Sequence, residues 1–131
     1  MIRRATTAAA LLFALTTAAG AASPVGRWIA TEIGGQPVAR GVETTLDLDL
    51  DGNVSGHGGC NRYGGTASAE GDTIRFGMMQ STRMACPAPE MHQESRFHQA
   101  LFRARGWRLE ADRLDLLDEA GGTVARFLRR R

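Results

Sequence analysis

The chain contains no lysine; all 16 of its basic residues are arginine. It has only two cysteines, so a multi-bridge disulfide scaffold is excluded. It has no apolar run of the ~20 residues that a transmembrane helix needs. Neither sign of charge dominates. The net charge of +2 comes from Arg3 and Arg4, and the remaining 14 arginines face 14 acids. The sequence pI of about 8.9 therefore leaves no electrostatic footprint for nucleic acid or an anionic membrane. No linker and no internal repeat divides the chain. An arginine-only basic complement fits a GC-rich bacterial genome and carries no chemistry of its own.

The N-terminus has the order basic, apolar, small. Arg3 and Arg4 precede the apolar stretch from Ala8 to Ala19, and Ala19-Gly20-Ala21 fits an A-x-A cleavage site. That order reads as a secretory signal peptide over residues 1–22. No cysteine sits at the cleavage site, so a lipid anchor is not expected. What remains, residues 23–131, is a single domain of about 110 residues, expected to be periplasmic or secreted. Two cysteines in an oxidising compartment form an even count, and a Cys60–Cys86 disulfide is the expectation.

From Arg27 onward the pattern has period two. In TTLDLDL (44–50), Leu46, Leu48 and Leu50 share one face, with Asp47 and Asp49 on the other. Asp51-Gly52 is a hairpin signal, and Glu70-Gly71-Asp72 and Gly121-Gly122 mark further turns. Strands follow at 73–76, 113–117 and 123–128, and Trp28-Ile29 and Trp107-Arg108-Leu109 head others. One segment departs from this pattern. After Pro87 and Pro89, Met91, Phe97, Ala100, Leu101 and Ala104 recur near helical spacing. Glu90 and Glu94 come early and Arg103 and Arg105 late, as the helix dipole favours, with Gly106 as the stop. The fold expected is mainly β with one helix, α+β: a small antiparallel barrel-like meander with a packed helix at about residues 89–105.

The stretch GHGGCNRYGG (56–65) invites several chemistries. His57, Cys60 and Asn61 are the residue types of a cysteine hydrolase, but a nucleophile needs an unoxidised sulfur and an adjacent base. His57, Cys60, Cys86 and His92 would make a tetrahedral zinc set, although their spacing matches no common zinc module. Asp47, Asp49, Asp51 and Gly52 open like a calcium loop, yet the twelfth position is Gly58 rather than the bidentate Glu. A phosphate loop would open a helix, whereas these glycines lead into another extended stretch. No catalytic residue, metal or cofactor is expected, and the disulfide is preferred to all of these.

GGCNRYGG (58–65) followed by STRMACPAPEMHQE (81–94) resembles the META domain family, which includes HslJ-type bacterial heat-shock proteins. Trp28, DGNVSG (51–56), Phe97, Leu101 and Leu114-Asp115-Leu116 extend the likeness across about residues 24–128. Carried over as family-motif positions are Gly59, Asn61, Ser81, Thr82, Met84 and Glu94. The resemblance implies a small barrel-like β fold with a packed helix and an exported or membrane-anchored location. It also implies a link with stress and antibiotic tolerance, and no enzymatic activity. Cys60 is then a staple joining the glycine-rich segment to Cys86, and Asn61 is expected to satisfy backbone groups beside it. From charge and proximity, Arg83 is expected to pair with Glu94 across the helix start.

The function expected is that of a non-enzymatic envelope module, a monomer, binding a protein or a small apolar ligand. The alternatives are a purely structural or interaction domain and a metal- or redox-sensing protein using Cys60 and Cys86. An apolar site would draw on Trp28, Leu46, Leu48, Phe76, Phe97, Leu101 and Trp107. The same residues would equally serve as an ordinary core. The two readings differ in what packing leaves over: no sizeable cavity, or several hundred cubic ångströms open to solvent.

Overall fold

Turn chemistry sets most of the strand order. The computed structural model of the chain describes residues 5–11 and 22–131. The expected leader and its cleavage at Ala21 or Ala22 lie mostly outside the described residues. The strands are β1 (Gly26–Ile33), β2 (Gln36–Pro37), β3 (Thr45–Leu48), β4 (Asn53–His57), β5 (Arg62–Glu70), β6 (Thr73–Phe76) and β7 (Gln80–Ser81). After these come the helix α1 (Ala88–Arg103) and β8 (Gly106–Glu110), β9 (Arg113–Leu117) and β10 (Thr123–Arg129). All pairings are antiparallel, as short glycine-bearing turns require of hairpins such as β3–β4, β5–β6 and β9–β10.

The ladder closes into a ring. β1 pairs with β3 on one side and β10 on the other, and the path β10-β9-β8-β6-β5-β4-β3 joins the two. β2 and β7 are short additions on β1 and β5. The closure is narrowest at β6–β8, where Thr73 opposite Gly106 is the one register pair. The backbone bonds Ile74 N–H to Arg105 O and Trp107 N–H to Asp72 O, both 3.0 Å, hold this seam. Beyond it β6 and the segment that follows are not paired with β8.

The buried side of α1 faces β1, β6 and β10. Phe97, Ala100, Leu101 and Ala104 repeat at helical spacing and are buried with Trp28, Ile33, Leu46, Leu116 and Phe127 in one core. Phe97 meets Phe127 edge-on at 6.4 Å and Tyr63 at 5.3 Å. Fully burying each such ring contributes roughly 1.5–3 kcal/mol. Burial raises the Tyr63 hydroxyl pKa, as does the nearby Asp47 charge. That hydroxyl donates to Thr45 O at 2.7 Å. Asp115 on β9 is a buried acid. Burial pushes its carboxyl up, but hydrogen bonds from Arg126 and Arg108 outweigh this and hold it below the ordinary value.

Two local expectations are corrected. Leu50 does not continue the buried face of Leu46 and Leu48. β3 ends at Leu48 and Leu50 stands 89% exposed, because the Asp49 carboxylate turns back to accept from Asp51 N–H and Asn53 N–H. Gly106 does not stop the helix. The chain already turns extended at Ala104, whose N–H still reaches Ala100 O, and Gly106 begins β8. The helix itself spans Ala88–Arg103, within two residues of the expected bounds of about 89–105.

Candidate functional site

The glycine-rich stretch is a turn built for close approach of a helix. Gly58 N–H donates to Asn61 O at 2.8 Å, closing the β4–β5 connection against α1. A Cβ on Gly58 would lie 2.7 Å from the Glu94 carboxylate, and one on Gly59 2.9 Å from Glu90 O. Gly59 also has φ +142°, which L side chains rarely adopt. Side chains at either position would push the helix away.

Into that contact Glu94 sends a buried carboxylate. Its Oε1 accepts from Asn61 N–H at 2.6 Å and Cys60 N–H at 3.2 Å, and its Oε2 from Asn61 Nδ2 at 2.8 Å. Burial raises the carboxyl pKa, but these donors more than offset it and hold Glu94 ionised below its ordinary range. Asn61 Oδ1 accepts in turn from Met84 N–H at 2.7 Å and Thr82 Oγ1 at 2.9 Å. The Cys60–Cys86 disulfide, with Cα atoms 5.9 Å apart, anchors the same segment. Gly59, Asn61, Thr82, Met84 and Glu94 are thus brought together. Ser81 lies in β7 opposite Tyr63, where its hydroxyl donates to Thr82 O. Glu94 is held by the Cys60–Asn61 turn instead of pairing with Arg83. The backbone donors already surround it, and Arg83 makes no ion pair among the described residues.

The segment pinned in this way, residues 76–85, forms one wall of an open groove of about 950 Å³, with α1 as the other wall. It lies where β6 parts from β8. Every methionine except Met1 lines it: Met78, Met79, Met84 and Met91. Phe76 and Phe102 add aromatic surface, and Met78 and Phe102 are 94% and 78% exposed. A second hollow of about 660 Å³ continues along α1, sharing Met91, His98 and Phe102. The His98 ring lies edge-on to Tyr63 at 5.5 Å. Burial lowers its pKa, opposed only in part by Glu94, so at neutral pH it offers a neutral ring. Unbranched thioethers adapt their shape to varied apolar partners.

Of the apolar candidates, Phe76 borders this groove, Leu101 is a core residue that also lines it, and Trp28, Leu46, Leu48, Phe97 and Trp107 are core residues outside its lining. Met78, Met79, His98 and Phe102 were not singled out from the sequence, although four methionines within residues 78–91 were a visible signal. Gln93 was also missed. Fully buried, it accepts from Ala39 N–H and donates to Val42 O and Thr44 Oγ1, fixing the loop before β3. The metal readings find no geometry. The cysteines are bonded to each other and His92 is exposed. Asp49 spends its oxygens on its own turn, and no group of three or more His, Cys, Asp or Glu among the described residues is placed to hold an ion.

A closed ring of antiparallel strands, one packed helix stapled beside a G-C-N turn, and an apolar groove along that helix define a small α+β domain. The META domain family model matches residues 22–131, and the chain belongs to that family. Among solved structures it is similar to a protein from Burkholderia xenovorans determined by NMR. That likeness has 28% identity and a TM-score of 0.65, over 80% of this chain and 81% of the other. A second NMR structure is 18% identical with a TM-score of 0.63, over 79% of this chain and 88% of that one. A DUF4847 family protein from Bacteroides vulgatus is 18% identical with a TM-score of 0.59, over 80% and 92%. At 18% the likeness shows the fold alone. No curated protein matches the chain. Among the described residues no helix is long and apolar enough to cross a membrane.

Proposed function

We propose that this META domain is an exported, non-enzymatic binding module of the bacterial envelope, serving stress or antibiotic tolerance by capturing an apolar ligand or protein segment. The observation that carries the reading is the methionine-lined groove between α1 and residues 76–85. Its size falls within the range of ligand sites, and its floor is apolar with a few fixed polar groups. The disulfide is compatible with an oxidising compartment. In support of a non-catalytic role, both oxygens of Glu94 are committed to the turn and the cysteine sulfurs to each other.

The test is fluorescence titration with the neutral dye Nile red. The wild-type protein is expected to enhance its emission saturably. The Met84→Gln/Phe102→Gln double variant should lose most of that enhancement while melting within a few degrees of wild type, since both side chains are exposed. Absence of binding by the wild-type protein would refute the groove as a ligand site.

A further inference from the structure

The groove carries a charge asymmetry that an indifferent apolar surface would not need. Its one acid, Glu94, sits on the floor with its oxygens already engaged by Cys60 and Asn61. Two arginines stand along its length: Arg83 on the β wall beside Met84, and Arg103 in the last turn of α1. Neither makes an ion pair or a side-chain hydrogen bond among the described residues. Arg108, Arg113, Arg126 and Arg129 do, while exposed Arg40, Arg62 and Arg75 likewise do not, so it is the position of Arg83 and Arg103 beside the apolar groove that distinguishes them. His98, the remaining titratable group between the walls, supplies no positive charge at neutral pH. Hence a groove with an apolar length offers unspent positive charge at its rim.

We propose that the ligand is a single-chain anionic amphiphile, a medium- or long-chain fatty acid carboxylate, with its head against Arg83 and its tail along α1 toward Phe102. The inference rests on the groove reading of the preceding section. Glu94 repels an anion from the floor, so the head stays at the rim, where Arg83 can pair with both carboxylate oxygens. From Met91 to Phe102 the helix advances roughly 16 Å at about 1.5 Å per residue. That is a run suited to an extended alkyl tail. Met78, Met84 and Met91 close over it, since thioether side chains can repack around a flexible chain. Arg103 lies at the tail end in this orientation and leaves the head untouched.

The experiment is calorimetric titration of the disulfide-intact protein, below the micelle threshold, with three probes sharing one tail: laurate, neutral monolaurin and cationic dodecyltrimethylammonium. Laurate is expected to bind about tenfold more tightly than monolaurin, and the cation most weakly. Arg83→Gln should weaken laurate about tenfold, a loss on the scale of one hydrogen-bonded charge. It should leave monolaurin unchanged, and Arg103→Gln should change neither much. Met84→Gln/Phe102→Gln should weaken all probes alike. Equal binding of the three probes, or insensitivity of laurate to Arg83→Gln, overturns the anionic-head assignment while the apolar groove stands. Failure of every probe to bind overturns the groove reading and this inference with it.

Discussion

Replacing Glu94 by glutamine tests the contact that seats the helix on the glycine turn. The substitution keeps the shape of the side chain and one acceptor oxygen. It removes the charge and turns an NH2 group toward Asn61 Nδ2, which now donates to Oε2 at 2.8 Å. One buried donor is left without an acceptor, and the bonds from Asn61 N–H and Cys60 N–H lose their charge assistance. Leaving a buried donor unsatisfied costs about 1–3 kcal/mol. We expect a loss near 2 kcal/mol, which lowers the melting temperature of a domain this size by roughly 8–16 °C. The effect should depend on pH in one direction. The folded-state pKa of Glu94 lies below its unfolded value. Its contribution is therefore complete above the unfolded value of about 4.3 and is lost as pH falls through the folded pKa. Scanning calorimetry of both proteins, with the disulfide intact, should show a wide gap near neutrality that narrows below about pH 4. A neutral-pH gap of a degree or less, or one that stays constant into acid, would falsify this account of the turn.

Reduction of Cys60–Cys86, which closes a loop with a sequence separation of 26, should cost about 3.5 kcal/mol in the chain-entropy model. Urea melts with and without reductant measure that cost, and free thiol in the denatured, unreduced protein would contradict the bond. Melting curves in millimolar calcium and in chelator should coincide, because Asp49 already accepts from Asp51 N–H, Asn53 N–H and Asn53 Nδ2. A rise of many degrees would mean preferential binding of the ion to the folded state. The mature protein should be recovered from outside the cytoplasm and begin near Ala22; N-terminal sequencing that finds Met1 retained, with the protein in the membrane fraction, would end the cleaved-leader reading.

Features that rest on neighbouring residues were legible in the sequence alone. Asp51-Gly52, Glu70-Gly71-Asp72 and Gly121-Gly122 marked turns because backbone preference acts over two or three residues. The 3.6-residue recurrence of Phe97, Ala100, Leu101 and Ala104 marked the helix and its buried face for the same reason. The cysteine count and the expected compartment named the disulfide, and the paired motifs named the family. Tertiary structure alone decided the partners of groups far apart in the chain. Glu94 meets Cys60 and Asn61 across more than 30 positions, where an estimate from charge had chosen nearby Arg83. Nothing in the leucine alternation shows that the Asp49 turn ends β3 before Leu50. The thin β6–β8 seam, which opens the groove, depends on long-range pairing that no local pattern encodes. So does the division of the apolar residues, with Trp28, Phe97 and Trp107 packed inside and the methionines left along the opening. Hydrophobicity drives a side chain out of water without specifying which surface will cover it.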